Sequence, residues 1–253
     1  MDRIKVSAVS YLNTKPFLYG IFQSDIQNRL EVTLDIPSVC AAKLKSGEAD
    51  LGLVPVAIIP ELNSPHVISD YCIGSVGKVK TVCIYSEVPI QQVKNLYLDY
   101  HSRTSVALTK VLLEKYWRVN PLLMKGTEGY IENIANNTAG LVIGDRTIGL
   151  EKRFPFVYDL GEAWMAMTGL PFVFAAWVSN RKLPEDFVED FNEALKTGLA
   201  HIPQLIYILP TEYFDFDLTT YFTKHISYNL DDAKKQGLRA FLRAIESRVE
   251  LVV

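Results

Sequence analysis

Short apolar segments alternate with segments of helical periodicity along most of the chain, and this alternation predicts an α/β fold. The apolar segments are short and rich in β-branched residues, as strands are. The strands predicted for the N-terminal part are Ile4–Val9, Glu31–Ile36, Asp50–Val54, Cys72–Val76 and Lys80–Tyr85. A helix is predicted over Ser38–Ser46, and the glycine-rich Gly74–Val79 is predicted to form a hairpin turn.

A second series of strands and helices is predicted after residue 86. Leu108, Val111 and Leu112 recur at helical spacing, which predicts a helix over Thr104–Trp117. The strands predicted around this helix are Asn95–Leu98, Leu141–Ile143 and Val173–Val178. The C-terminal part is predicted to be helical, because Pro184 suits a first helical turn and apolar residues follow it on one face.

The two series predict two lobes with a cleft between them. We expect the first lobe to comprise residues 1–85 and 177–253, and the second lobe to comprise residues 86–176. Ligands of open α/β sheets bind beyond the carboxyl ends of the strands. Polar residues that directly follow predicted strands are therefore the candidates for a binding site.

Charge and composition indicate which binding partners and which cellular compartment to expect. Lys and Arg total 26 against 29 Asp and Glu in 253 residues, and the net charge of −3 favours neither nucleic acid nor an anionic membrane surface. The first eleven residues alternate apolar and polar positions, so no export signal is expected, and no apolar run approaches the ~20 residues of a membrane span. Three cysteines without a CxxC motif suit a reducing compartment. We therefore expect a cytoplasmic protein with a small-molecule ligand, of open oligomeric state.

Motifs for several common chemistries are absent. The chain has no HExxH, GxSxG, GxGxxG or complete Walker A motif, and its four histidines are scattered, so a metal site is not expected. Trp164 and Trp177 are predicted to be core residues, and the pair Lys234-Lys235 is predicted to be solvated surface.

Four polar clusters follow predicted strands. The first, Ser10–Pro16, contains Tyr11 and Asn13. Asn13 either caps the helix that Pro16 begins or directs its amide at an anion or carbonyl of a ligand. The second cluster contains Pro55 and Val56, and it offers mainly backbone to the wall of the cleft.

The third cluster is Ser102-Arg103-Thr104-Ser105, and it contains three hydroxyl residues. They open the predicted helix, where free amides and the positive end of the helix dipole suit a carboxylate, and simple N-capping is the alternative. The fourth cluster contains Asp145, directly after a predicted strand. This carboxylate either caps the following helix or handles substrate hydroxyls and protons.

Several segments in a fixed order resemble one family across nearly the whole chain. They are SYLNTKPF (Ser10–Phe17), DLGLVPV (Asp50–Val56), SRTSVAL (Ser102–Leu108), LVIGD (Leu141–Asp145), DLGEAWMAMTGLPFVFAAW (Asp159–Trp177) and ISYNLDDAKKQGLRAF (Ile226–Phe241). Together they resemble the chorismate dehydratases of the futalosine route to menaquinone. The resemblance implies the fold of type II periplasmic binding proteins, used by a cytoplasmic enzyme, which agrees with the two-lobed α/β prediction.

The resemblance also implies a reaction. A lyase of this family converts chorismate, a dicarboxylate, into 3-[(1-carboxyvinyl)oxy]benzoate and water without a metal or an organic cofactor. Fixed N–H and hydroxyl donors at the ring carboxylate would stabilise the negative charge that proton removal builds there. The proton acceptor stays open, and the enolpyruvyl carboxylate of the substrate itself is one hypothesis.

Site residues follow from the resemblance position by position. Asn13 matches the family asparagine near the reacting carbon, and Thr81 falls where many members have serine, so both are expected to be catalytic. The residues expected to bind substrate are Tyr11, Pro55, Val56, Ser102, Thr104, Ser105 and Asp145. Asp145 is expected to contact a substrate hydroxyl or the leaving water.

Three functions other than that of a chorismate dehydratase remain as alternatives. The first is a non-catalytic solute-binding domain, because this type of fold mostly serves binding. The second is 1,4-dihydroxy-6-naphthoate synthase, a related enzyme of the same route, against which the TGLPFVF segment counts. The third is the ligand-binding domain of a transcription factor, although no helix-turn-helix segment precedes the fold.

Overall fold

The computed structural model describes residues 3–209 and 216–249. Packing divides the chain into two units, and each unit is discontinuous in sequence. The first unit comprises Met1–Gly74 with Val173–Asp231, and the second comprises Ser75–Phe172 with Asp232–Val253.

The strands of the described residues lie in two sheets. In chain order they are β1 (Ile4–Val9), β2 (Leu30–Asp35), β3 (Leu51–Pro55), β4 (His66–Ser75), β5 (Val82–Ser86), β6 (Asn95–Leu98), β7 (Leu122–Lys125), β8 (Thr138–Ile143), β9 (Phe156–Asp159), β10 (Phe172–Ser179) and β11 (Ser227–Asn229). The α-helices are α1 (Lys15–Phe22), α2 (Pro37–Ser46), α3 (Arg103–Leu112), α4 (Leu160–Thr168), α5 (Glu185–Ala200), α6 (Ile202–Ile208), α7 (Leu218–Thr220) and α8 (Asp232–Val249).

The first sheet has the order β11-β4-β10-β3-β1-β2 within the described part of the chain. Strand β1 pairs in parallel with β2 and β3, and β10 pairs antiparallel with β3. Because β1 and β3 run in the same direction, the residues that follow them emerge at one edge of this sheet. Polar residues after Val9 and Pro55 therefore belong to the same edge.

The second sheet has the order β7-β6-β8-β5-β9 across the residues that the structure describes. Strand β6 is parallel to β7 and β8, whereas β5 runs antiparallel to both β8 and β9. The carboxyl ends of β6, β8 and β9 consequently lie at one edge, together with the beginning of β5.

Helices α1 and α5 approach closely in the first unit, at two glycines. A Cβ on Gly20 would overlap the carbonyl oxygen of Ala194, and a Cβ on Gly198 would overlap that of Pro16. Aromatic rings pack nearby, with Trp177 6.1 Å from Phe17 between ring centroids. Trp177 has no exposed surface, which confirms the prediction that it is a core residue.

The second unit has an aromatic cluster that includes the C-terminal helix. The ring centroid of Phe172 lies 5.3 Å from that of Trp164 and 5.0 Å from that of Phe241 in α8. Trp164 is 1% exposed, as predicted for a core residue. In α8, Lys234 is also 1% exposed, so the prediction that the Lys234-Lys235 pair is solvated is wrong for this residue.

The observed division differs from the predicted boundaries in three places. Strand β5 pairs with β8 and β9, so it belongs to the second sheet and the predicted boundary at residue 85 is too late. Residues 175 and 176 pair with β3 in the first sheet, and helix α8 groups with the second unit because its Phe241 packs on Phe172. The predicted hairpin at Gly74–Val79 is also wrong, because β4 and β5 lie in different sheets.

Most elements form close to their predicted positions. Asn95–Leu98 is a strand with the predicted bounds, and the predicted helix over Thr104–Trp117 is α3 followed by a π-helical turn, Leu113–Trp117. None of the described helices is long and apolar enough to cross a membrane.

The close contact of α1 with α5 predicts that Gly198→Ala destabilises the protein. The added methyl group has no space against the Pro16 carbonyl, so the two helices must separate, and we expect a loss of about 1–3 kcal/mol in the free energy of unfolding. Urea denaturation measures this change. Glu189→Ala, at an exposed position of the same helix, is the control and should stay within about 0.5 kcal/mol of wild type. Equal stabilities for the two variants would contradict the contact.

Candidate active site

The first unit places four predicted residues at the edge where β1 and β3 end. Tyr11 precedes a short 3₁₀ turn, Leu12–Thr14, that contains Asn13 and leads into α1. Pro16 lies in the first turn of α1, as predicted. Pro55 ends β3, and both Pro55 and Val56 are buried.

Asn13 is not the cap of α1. Thr14 occupies the N-cap position, so the alternative that Asn13 is only a helix cap is wrong. The Oδ1 atom of Asn13 accepts a hydrogen bond from the Thr14 hydroxyl at 3.3 Å. Its Nδ2 atom has no hydrogen-bond partner among the residues that the structure describes, and the side chain is half-buried. The amide can therefore donate to a ligand.

Tyr228 of β11 supports the main chain at Asn13. Its hydroxyl donates to the Asn13 carbonyl at 2.9 Å, and its ring packs edge-on against Phe17 at 5.2 Å between centroids. Burial raises the pKa of Tyr228 well above its usual value, so the hydroxyl keeps its proton and stays a donor. The sequence analysis assigned no role to Tyr228, although it lies in the ISYNL segment.

The second unit brings the remaining predicted residues to the edge where β6, β8 and β9 end. Thr81 directly precedes β5 and is 1% exposed. Its carbonyl accepts a hydrogen bond from the Gly144 amide at 2.9 Å, which ties it to the end of β8. Asp145 follows Gly144 in a 3₁₀ turn and is half-buried. Ile143 occupies the N-cap position of that turn, so Asp145 is not its cap.

The hydroxyl cluster at the start of α3 is organised by N-capping. Ser102 is the N-cap, and its Oγ accepts hydrogen bonds from the amide and the hydroxyl of Ser105, both at 3.2 Å. Ser102 and Ser105 are 8% and 2% exposed, and Thr104 is completely buried. The capping alternative is thus observed for Ser102, and binding of a carboxylate here stays a prediction.

Asp99 and Arg146 add a buried ion pair to this edge. The Asp99 side chain has no exposed surface, and Arg146 Nη2 donates to its two carboxylate oxygens at 2.8 and 2.6 Å. The Ile143 amide donates to the same carboxylate at 3.0 Å, and the His101 amide donates at 2.8 Å. Asp99 therefore links the ends of β6 and β8. No role was predicted for Asp99, although it directly follows the predicted strand Asn95–Leu98.

The ion pair also affects His101. Burial lowers the pKa of His101, and the positive charge of Arg146 lowers it further, against the opposing influence of Asp99. The imidazole is therefore neutral near pH 7. The Arg146 guanidinium lies 5.5 Å from the ring centroid of Tyr100. This edge therefore holds the Arg146 cation, the rings of Tyr100 and His101, and the hydroxyl cluster at the start of α3.

Each unit thus gathers part of the predicted site. The first unit holds Tyr11, Asn13, Pro55 and Val56, and the second holds Thr81, Ser102, Thr104, Ser105 and Asp145. Within the described ranges, no group of three or more His, Cys, Asp or Glu side chains is arranged to hold a metal ion. The groups present are amides, hydroxyls, carboxylates and one guanidinium, which suit the binding of anionic and hydroxylated ligands.

Solved structures define the class of fold. A protein from Archaeoglobus fulgidus matches with a TM-score of 0.75 at 14% identity over 98% of each chain. A Candida albicans protein, described as having the generic periplasmic binding protein structural fold, matches with a TM-score of 0.61 at 14% identity over 99% of this chain and 95% of that one. The chain has a periplasmic-binding-protein-like fold, as predicted.

Sequence relatives define the family within that class. A chorismate dehydratase from Thermus thermophilus is 27% identical over 83% of this chain and 84% of that protein. A family model described as menaquinone biosynthesis matches residues 4–247. The chain belongs to this menaquinone biosynthesis family.

The support of Asn13 by Tyr228 predicts the effect of Tyr228→Phe. This variant keeps the ring but removes the hydroxyl that donates to the Asn13 carbonyl, so we expect a loss of about 1 kcal/mol in the free energy of unfolding. Urea denaturation of the variant gives the value. Tyr207→Phe makes the same chemical change at a side chain that is 88% exposed and serves as the control. A Tyr228→Phe variant as stable as this control would show that the hydrogen bond contributes nothing.

Proposed function

We propose that this protein is a chorismate dehydratase, which converts chorismate into 3-[(1-carboxyvinyl)oxy]benzoate and water. The observation that carries the proposal is the similarity to the Thermus thermophilus chorismate dehydratase over more than four-fifths of both chains. Membership of the menaquinone biosynthesis family supports the same assignment. The proposed enzyme is a lyase that requires no metal and no organic cofactor.

The chemistry suits a site made of fixed donors. The proton to be lost lies on the ring carbon that bears the enolpyruvyl ether, and it is conjugated through the ring alkene to the ring carboxylate. Removal of that proton moves negative charge onto the carboxylate, and N–H and hydroxyl donors held in place there stabilise the charge. Loss of the neighbouring hydroxyl as water then forms an aromatic ring, which makes the reaction favourable.

The second unit has the features of the carboxylate site. The amides in the first turn of α3 lie at the positive end of the helix dipole, and Ser102 caps that turn. Arg146 adds a positive charge at the same edge, although Asp99 neutralises much of it. In this proposal these groups bind the ring carboxylate, and Thr81 and Asp145 contact the hydroxyl that leaves as water.

The first unit contributes Asn13 in this proposal. An amide does not accept a proton near neutral pH, so Asn13 acts as a hydrogen-bond donor through Nδ2 and orients the enolpyruvyl group. The enolpyruvyl carboxylate of the substrate then takes the ring proton, and the fixed hydrogen-bond donors supply orientation and electrostatic stabilisation. The main alternative acceptor is the half-buried carboxylate of Asp145.

Incubation of the purified protein with chorismate tests the proposed function. The protein is first treated with EDTA and passed through gel filtration. We then expect enzyme-dependent conversion of chorismate to a product that is lighter by one water and retains its enolpyruvyl group. Chromatography and mass spectrometry detect this product. Chorismate that stays intact but raises the thermal midpoint of the protein would support a non-catalytic binding protein instead. Chorismate that neither reacts nor binds would contradict the assignment altogether, and activity that returns only with added metal would contradict metal independence.

Two variants test the proposed proton acceptor. Asn13→Leu removes the donor and is expected to lower kcat/KM by about 100-fold. Asp145→Asn is expected to lower kcat by no more than about 10-fold, because its carboxylate is not the base in this proposal. Asn63→Leu, at an exposed loop position, is the control for the first change. Abolished turnover in Asp145→Asn with chorismate still bound, measured by calorimetry, would exclude the substrate carboxylate as the acceptor.

A further inference from the structure

Asp159 is a buried carboxylate at the candidate edge of the second unit to which neither the sequence nor the proposed mechanism assigns a role. It ends β9, directly precedes α4 and is 3% exposed. Burial raises the pKa of Asp159, and hydrogen bonds from main-chain amides oppose that rise. Four amides converge on this one side chain, two from α4 and two from a segment about 80 residues earlier.

The two carboxylate oxygens of Asp159 accept different sets of hydrogen bonds. Oδ1 accepts from the amides of Gly161 and Glu162 at 2.9 and 3.1 Å, which caps α4. Oδ2 accepts from the amides of Val79 and Lys80 at 3.0 and 2.7 Å, and Val79 also lies 3.1 Å from Oδ1. A helix cap needs only the first set of bonds. The second set fixes the two residues that directly precede Thr81.

Lys80 has an unusual main-chain conformation that this second set of bonds holds in place. Its φ angle is 75°, in the left-handed region that is unfavourable for a residue with a Cβ. The Lys80 side chain contacts Glu151 at 3.5 Å in an exposed position, where an ion pair contributes little. The hydrogen bonds of the main chain to Asp159 therefore stabilise the left-handed turn, together with a weaker bond from the Cys83 thiol to the Lys80 carbonyl at 3.4 Å.

The turn at Lys80 sets the direction in which the chain enters Thr81 and β5. After Thr81 the chain is already fixed, because Gly144 donates to the Thr81 carbonyl and Val82 pairs with Ile143. Before Thr81, the first turn of α4 packs tightly on the segment that leads to it. A Cβ on Gly161 would lie 2.5 Å from the Gly77 carbonyl oxygen and 2.6 Å from Ser75 Oγ.

We infer that Asp159 is a positioning residue for Thr81, which acts through the main chain of Val79 and Lys80. This inference rests on the proposed function, in which Thr81 contacts the substrate. The competing explanation is that Asp159 only caps α4 and contributes to stability. The two explanations differ because the Lys80 amide donates to Oδ2, whereas the amides of α4 donate to Oδ1.

Asp159→Asn separates the two contacts. Asn caps helices as well as Asp does, so its Oδ1 can keep the bonds to Gly161 and Glu162. Its Nδ2 then faces the Lys80 amide, which is a donor, so the Lys80 bond is lost while Val79 can keep its bond to Oδ1. Lys80→Asn is the partner variant, because Asn adopts the left-handed conformation more readily than Lys. It should make the turn less dependent on Asp159.

The experiment is a double-mutant cycle of Asp159→Asn and Lys80→Asn with chorismate as substrate. We expect Asp159→Asn alone to lower kcat by at least 10-fold, with KM within 3-fold of wild type. In the Lys80→Asn background, we expect Asp159→Asn to lower kcat by less than 3-fold relative to the Lys80→Asn single variant. Asp217→Asn changes a helix-capping carboxylate at the start of α7 and should leave kcat unchanged. An equal loss of kcat in both Lys80 backgrounds, or a lowered thermal midpoint with kcat preserved, would overturn the inference.

Amide hydrogen exchange, followed by NMR, tests the inference without reference to activity. In Asp159→Asn we expect the amide of Lys80 to lose protection, while those of Gly161 and Glu162 keep it. Equal loss at all three amides, or no loss at any of them, would overturn the positioning role. A wild-type protein that does not dehydrate chorismate would contradict the proposed function, and the exchange measurement would still decide whether Asp159 holds the turn before Thr81.

Discussion

Main-chain amides at the ends of strands need acceptors once they are buried, and in the second unit two aspartates meet this requirement. Asp99 accepts from the amides of Ile143 and His101, and Asp159 accepts from amides of α4 and of the turn before Thr81. Because each carboxylate joins segments distant in sequence, the ends of β6, β8 and β9 and the start of β5 form one connected edge. The candidate residues of this unit depend on that connection, since each lies within four residues of an amide bonded to Asp99 or Asp159.

The first unit achieves a similar result with neutral groups. The hydroxyl of Tyr228 fixes the Asn13 carbonyl, and the close contact of α1 with α5 at Gly20 and Gly198 fixes the helix that follows Asn13. No buried charge is required here. In the proposed mechanism, the neutral donor at Asn13 orients the enolpyruvyl group, and the more polar edge around Ser102 binds the ring carboxylate.

Local sequence predicted what depends on local interactions. Strands such as Ile4–Val9 formed as expected because β-branched and apolar runs favour them, and the polar clusters after strands lie at sheet edges as expected. The partner of β5 was not predictable locally, because an extended pair joined by a glycine turn has the same pattern whether it forms a hairpin or joins two sheets. The supporting residues were missed for the same reason: the hydrogen bonds of Asp99 to Ile143, Asp159 to Lys80 and Tyr228 to Asn13 span 44, 79 and 215 residues.

The separation between Asn13 and Tyr228 has a consequence for the order of synthesis. Asn13 is translated before Tyr228, and the hydroxyl that supports it is made 215 residues later. All strands of the second sheet, which end at Asp159, are translated before the first sheet receives β10 and β11. The second sheet can therefore assemble while the first is still missing two strands, and the Asn13 turn acquires its final support only after Tyr228 has been translated.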